Sequence, residues 1–189
     1  NEYPSLPPNS QHAIAFLTSI IRFIGIIFYN HIMKQKLDAI DRKILDLLQA
    51  HSDWPVNELA AAVNLTPTPC WRRVQRLKGL GILARQVVLV DRSQVNLGVT
   101  VFVSVRTRQH DVPWLDKFRA AVQGIAEIVE AHRMSGDVDY LLKVVVPDIA
   151  AYDLVYKRLI EQVPLSDVSS SFAMEELKFT TAVPLSYAV

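Results

Sequence analysis

One cysteine, Cys70, occurs in 189 residues, so no disulfide can form within the chain and the disulfide-stapled secreted folds are excluded. A reducing cytoplasm is the natural compartment for such a sequence. Also missing are a nucleophile beside a general base, a phosphate-cradling loop and any metal-ligand spacing. An enzyme of amino-acid metabolism therefore has no residues to point to. Between residues 66 and 85 there is no acid at all, against five Lys and Arg. The formal net charge of +1 hides the asymmetry this creates. Residues 34–92 carry a net of +4, and residues 93–189 a net of −3. A basic front on an acidic rear suits a front half that meets a polyanion.

The first 33 residues stand apart. Residues 13–29, AIAFLTSIIRFIGIIFY, are nearly all apolar. A membrane span needs roughly 20 such residues, and a central charge such as Arg22 opposes insertion. The preceding NEYPSLPPNSQH holds no Lys or Arg, against a signal peptide. Met33 stands before a well-formed helix start. Residues 1–33 therefore read as a non-native or mis-assigned extension. An interfacial or membrane-anchoring helix and a soluble helical arm are the alternatives.

Three short helices follow. The spacing predicts the first from Asp38 to Ala50, with Asp38 as its cap and Ile40, Ile44, Leu47 and Leu48 as its buried stripe. Asp41 falls mostly outside that stripe, where its charge suits the helix N-terminus. The second runs from about Val56 to Val63, and Asn64 supplies a left-handed turn. The third is LTPTPCWRRVQRLKGLG, residues 65–81. Its two prolines fit a first helical turn, where a missing N–H costs little, and Thr66 or Thr68 offers a cap oxygen. Cys70, Val74 and Leu77 form its inner stripe, leaving Trp71, Arg72, Arg73, Gln75, Arg76 and Lys78 on the other faces. ILARQVVLV, 82–90, reads as a strand pair or wing. A tight turn before a basic third helix describes a helix-turn-helix, whose third helix enters the major groove of double-stranded DNA. Candidate DNA contacts are Thr66, Thr68, Pro69, Trp71, Arg72, Arg73, Gln75 and Arg76. Arg can read guanine bidentately, and Lys and Thr can hold phosphates.

The rear half alternates differently. Strands are expected over 99–107, 127–134, 139–147 and 166–177, and helices over 113–124 and 149–163. The order βαββαβ is that of a ferredoxin-like sheet with both helices on one face. The uncovered face looks substantially apolar, which predicts pairing of two copies into a dimer. The whole chain is thus α+β: a winged helix-turn-helix over 34–92, with a linker strand, and a ferredoxin-like domain over 93–189.

The stretches IDRKILDLLQ, ELAAAVNLTPTPCWRRVQRL, HRMSGDVDYLLKVVVPDIAAYD and SSSFAMEELKFTTAVPL together resemble the Lrp/AsnC family of transcription regulators. The final stretches look most like a proteobacterial subgroup that regulates amino-acid catabolism and detoxification genes, including cysteine-responsive members. The resemblance implies a ligand-sensing role for the rear domain and homodimers that assemble to tetramers or octamers, with a small amino-acid effector bound between dimers. It places that effector at Met134, Ser135, Gly136, Asp137, Asp139 and Tyr140. Chemically, Asp137 or Asp139 suits an ammonium and the amides around Gly136 suit a carboxylate, although Asp and Gly are also plain turn formers. Asn64 departs from the glycine often found in the turn before the family's third helix. His132 with Asp137 and Asp139 makes too few ligands for a metal, and no cofactor is expected. Cys70 on an inner face is a weak candidate for redox sensing.

Overall fold

The computed structural model describes residues 37–109 and 111–188. The apolar run 13–29 and the start at Met33 lie outside the described residues. Two compact units emerge: one extends to Gln86 and also takes in the chain from Thr180, and the other is Val87–Phe179.

In the first unit, α1 is Ala39–Ala50, α2 Val56–Ala62 and α3 Pro67–Gly79. The start of α1 is a capping box. The Asp38 carboxylate accepts from the Asp41 amide at 2.7 Å, and the Asp41 carboxylate accepts from the Asp38 amide at 3.2 Å. Asn64 takes φ 56°, the left-handed geometry expected of it, and turns the chain between α2 and α3. Pro67 and Pro69 occupy the first turn of α3. Thr66 is the residue before that turn, but neither its hydroxyl nor that of Thr68 caps the helix; only the Thr66 carbonyl takes part, accepting from the Cys70 amide. Ile44, Leu45, Leu59, Ala60, Cys70 and Leu77 form the core.

Two features here differ from the sequence reading, one in this unit and one in the stretch that leaves it. Asp41, expected off the buried stripe, is 1% exposed. The wing over 82–90 is not formed: among the described residues this stretch has no strand partner, and Val87, Val88, Leu89 and Val90 stand exposed. Strand geometry needs a neighbour to bond to, and β-branched composition alone does not supply one. The chain's end was not anticipated as part of this unit. Leu185 and Ala188 pack against the first core, Arg42 donates to the Ala188 carbonyl at 3.1 Å, and the Val183 amide donates to the Gln49 side chain at 2.7 Å.

The second unit has the expected order: β1 Val99–Arg106, α4 Val112–Gly124, β2 Ile128–Arg133, β3 Tyr140–Val146, α5 Ile149–Gln162 and β4 Asp167–Phe172. The strands lie β2-β3-β1-β4, and every neighbouring pair is antiparallel. Val101, Val103 and Val105 of β1 and Leu142, Val144 and Val146 of β3 point to the helices. There they meet Trp114, Phe118 and Ala121 of α4 and Tyr152, Val155 and Leu159 of α5. The last strand stops at Phe172, short of the expected 177. Beyond it β1 offers one more bond, from the Ala173 amide to the Thr100 carbonyl.

The open face of the sheet is more polar than alternation suggested. Phe102 and Leu141 share it with Ser104, Ser169, Ser171 and His132 by register. Lys143 to Glu130 at 2.9 Å and Arg106 to Asp167 at 3.0 Å are ion pairs between neighbouring strands on this face. Exposed apolar side chains of this unit include the run Val87–Val90 and Met174, Leu177 and Phe179.

Candidate nucleic-acid interface and effector turn

With 3.6 residues per turn, α3 divides into three faces. Cys70 and Leu77, both fully buried, point into the core. Thr68, Trp71, Arg72 and Gln75 are exposed on the opposite side, next to the N-terminal turn, where Thr66 and Pro69 are also exposed. Arg72 and Gln75 make no side-chain hydrogen bond among the described residues, and Trp71 is 53% exposed. An aromatic on a cationic face and two unengaged polar side chains can meet base edges, guanine and adenine being the partners suited to Arg and Gln.

Arg73 and Arg76 lie elsewhere. They share a flank of α3 that faces the start of α1. Arg73 Nη1 sits 2.6 Å from Asp38 Oδ2 and 2.8 Å from Asp41 Oδ1. Arg76 Nη2 bonds the other oxygen of Asp41. The sequence shows only their charge, which groups both with the candidate DNA contacts. Their partners lie 32 to 35 positions earlier, in a helix start whose acids were assigned to capping and the helix dipole. The Asp41 amide bond and then the Arg73 guanidinium hold the Asp38 carboxyl below the usual carboxylate range. Asp38 and then Asp41 raise Arg73 further. On the inner face, burial pushes the Cys70 thiol up, away from the reactive thiolate.

Asp38 and two carboxyls of the second unit give a pH dependence with a definite sign. Glu127 is lowered by its bond to Arg158, and Glu130 by its bond to Lys143. Asp38, Glu127 and Glu130 each bind a proton less readily folded than unfolded, so each stabilises above the ordinary carboxylate range and loses that contribution as pH falls through it. Thermal melts should be level from about pH 7 to about pH 5 and fall below about pH 4.5. A melting temperature unchanged down to about pH 3 would contradict this.

In the second unit the turn between β2 and β3 carries Met134, Ser135, Gly136 and Asp137, all exposed. Gly136 takes φ 120°, which disfavours any side chain there. Asp139 is half-buried. Its Oδ2 accepts from the Thr107 amide at 2.8 Å, and its backbone bonds the Val105 carbonyl and the Met134 amide. Its second carboxylate oxygen accepts no hydrogen bond among the described residues. Tyr140, also assigned to the effector, is 7% exposed and belongs to the core, against Trp114 and Phe118. One residue past Asp139, alternation turns its ring to the helix side. Arg106 was not anticipated. Its Nε donates to the Asp137 carbonyl at 2.7 Å while Nη1 pairs with Asp167. An open cleft of about 540 Å³ beside the turn is lined by Ser104, Arg106, Val138, Asp167, Ser169 and Ser170. Arg106 and Asp167 are 61 positions apart, and only the β1–β4 register brings them together.

Comparison with known proteins adds the following. The model of the AsnC-type helix-turn-helix domain matches residues 37–78, and that of the Lrp/AsnC ligand binding domain matches residues 100–183. The chain is 48% identical over 150 residues to the DNA-binding transcriptional activator DecR of Escherichia coli, covering 79% of this chain and 99% of that protein. It is 44% identical over 153 residues to the glutamate uptake regulatory protein of Zymomonas mobilis, covering 81% of this chain and 93% of that one. Among solved structures, an AsnC family transcriptional regulator from Agrobacterium tumefaciens superimposes with a TM-score of 0.79 at 54% identity, over 81% of this chain and all of that one. A Neisseria meningitidis transcriptional regulator in complex with L-Met gives 0.78 at 33% identity, over 82% of this chain and 100% of that one.

Proposed function

Since the chain belongs to the Lrp/AsnC family of transcription regulators and is a DNA-binding regulator rather than an enzyme, we propose that the outward stripe of α3 reads the major groove and that a small amino acid at the β2–β3 turn adjusts that binding. The observation that carries the first half is the division of the arginines. Two are neutralised internally, while Arg72 stands exposed beside Trp71 and Gln75 at the end of the helix that enters a groove first. Thr66, Thr68 and Pro69 then sit where the backbone of one DNA strand passes. Selection of a binding duplex from a randomised pool by the full chain tests this. Enrichment of one sequence supports it, and recovery of unselected sequence with wholly salt-driven affinity overturns it.

The effector half rests on the half-buried Asp139 beside exposed amides. The bound L-Met of the Neisseria meningitidis regulator supports a small amino acid as the class of ligand. Asp139 takes the ammonium, the amides around Gly136 take the carboxylate, and Met134, Ser135 and Asp137 complete the rim. Asp139→Asn keeps an acceptor for the Thr107 amide and removes only the charge. It should weaken binding of the responsive amino acid by roughly tenfold or more, a loss of about 1.4 kcal/mol or above. Calorimetry on the amino acid chosen by a thermal-shift screen checks it, and equal affinity in both proteins would remove Asp139 from the site.

The exposed Val87–Val90 segment and the apolar Met174, Leu177 and Phe179 support a homodimer as the working unit, with tetramers or octamers built from it. Its place of action is the cytoplasm, where duplex DNA and free amino acids meet. No helix among the described residues is long and apolar enough to cross a membrane.

A further inference from the structure

We infer that Asp41, with Asp38, is a positioning device for α3: it holds Arg73 and Arg76 away from DNA phosphates and fixes the rotation at which the reading stripe faces the groove. The inference rests on α3 being the groove helix. Asp41 is the more buried of the two acids, at 1% side-chain exposure, and both of its oxygens are engaged. One takes Arg73; the other takes Arg76 and the Asp38 amide. Asp38, at 51% exposure, adds a second bond to the same Arg73 nitrogen. Two carboxylates and two guanidiniums are therefore joined between the first turn of α1 and the middle of α3. They border an open cleft of about 470 Å³ that Arg72 also lines.

The geometry gives this cluster an angular function. At 3.6 residues per turn, Arg76 lies roughly a quarter-turn, and Arg73 roughly three-eighths of a turn, from the centre of the Thr68–Arg72–Gln75 stripe. The apolar contacts of Cys70 and Leu77 hold α3 against the core, but apolar contacts are non-directional and tolerate small rolls of a helix. Paired charge-assisted bonds are directional, so they resist that roll. The cluster also subtracts charge from the DNA-facing side. A free guanidinium binds any phosphate, and non-specific affinity is almost wholly electrostatic. Tying up two of the four cations of α3 lowers affinity for arbitrary sequence while leaving base reading to Arg72 and its neighbours.

The test uses the full chain, the duplex that the wild type selects from a randomised pool, and a scrambled duplex of the same length. Asp41→Asn, isosteric and uncharged, should lower the ratio of selected to scrambled affinity by roughly tenfold and steepen the salt slope on the scrambled duplex by about one. Asp38→Asn keeps a competent cap and removes one acceptor of Arg73, so it should move both quantities the same way but less. It serves as the second variant should Asp41→Asn fold poorly. Arg73→Gln should lower the ratio and leave the salt slope unchanged. A purely structural role would lower the melting temperature with the ratio intact, and that result overturns the inference. So does a shallower slope in Arg73→Gln, which would put Arg73 on a phosphate. Arg72→Ala separates the two readings. If it alone changes nothing, the groove reading fails; if it weakens binding while the Asp41 and Asp38 variants keep the ratio, only the positioning role fails.

Discussion

Arg72→Ala should lower affinity for the selected duplex by roughly ten- to a hundredfold, a cost of about 1–3 kcal/mol, and should relax specificity at one base pair in each half-site. Arg72 lies on the exposed face of α3, opposite Cys70 and Leu77, and none of the ion pairs among the described residues uses it. Truncating it therefore removes a contact to DNA without breaking one inside the protein, so the melting temperature should hold. Affinity for scrambled duplex should change far less than affinity for the selected one. Loss that is equal on both, with a salt slope shallower by about one, would assign Arg72 to a phosphate rather than a base. An affinity and a slope both unchanged would remove α3 from the interface.

Trp114→Ala should destabilise the second unit by about 3–5 kcal/mol, the range for deleting a large aromatic from a packed core. The ring is 3% exposed and stacks on Phe118 at 5.1 Å, with Tyr140 tilted against it at 5.7 Å. Its Nε1 donates to the Pro164 carbonyl at 2.9 Å, which ties the end of α5 to the start of α4. Removing it leaves a cavity and one unpaired carbonyl together. Tyr140 also lies directly after Asp139, so loss of the ring should loosen the strand at Asp139 and weaken the amino-acid binding proposed there. Denaturant unfolding followed by tryptophan-independent circular dichroism measures the first effect, and amino-acid calorimetry the second. A loss below about 1 kcal/mol would mean that the aromatic cluster is not what holds α4 to the sheet.

The elements of both units were legible because each is written locally. The proline pair before Cys70, the Asn64 turn and the Asp38 cap set helix limits within a few residues. The β-branched stretches and the Pro and Gly boundaries did the same for the sheet. What stayed hidden was pairing at a distance. Composition marks Arg72, Arg73 and Arg76 as equivalent cations, and only the approach of α1 shows that two of them are spent on Asp41. Likewise Tyr140 sits beside Asp139 in sequence, yet strand alternation sends it into the core. Arg106 and Asp167 meet only through the register of β1 and β4. The apolar 82–90 stretch shows the reverse limit: strand-like composition there has no neighbour among the described residues to complete a strand.

Methylation interference on the selected duplex tests the central claim most directly, because N7 of guanine is exposed only in the major groove and is the atom a bidentate arginine needs. Binding by the wild-type chain should be blocked by N7 methylation of one guanine in each half-site, and Arg72→Ala should lose that sensitivity while keeping sensitivity to phosphate modification. Binding indifferent to N7 methylation throughout the protected region would contradict a groove-reading α3.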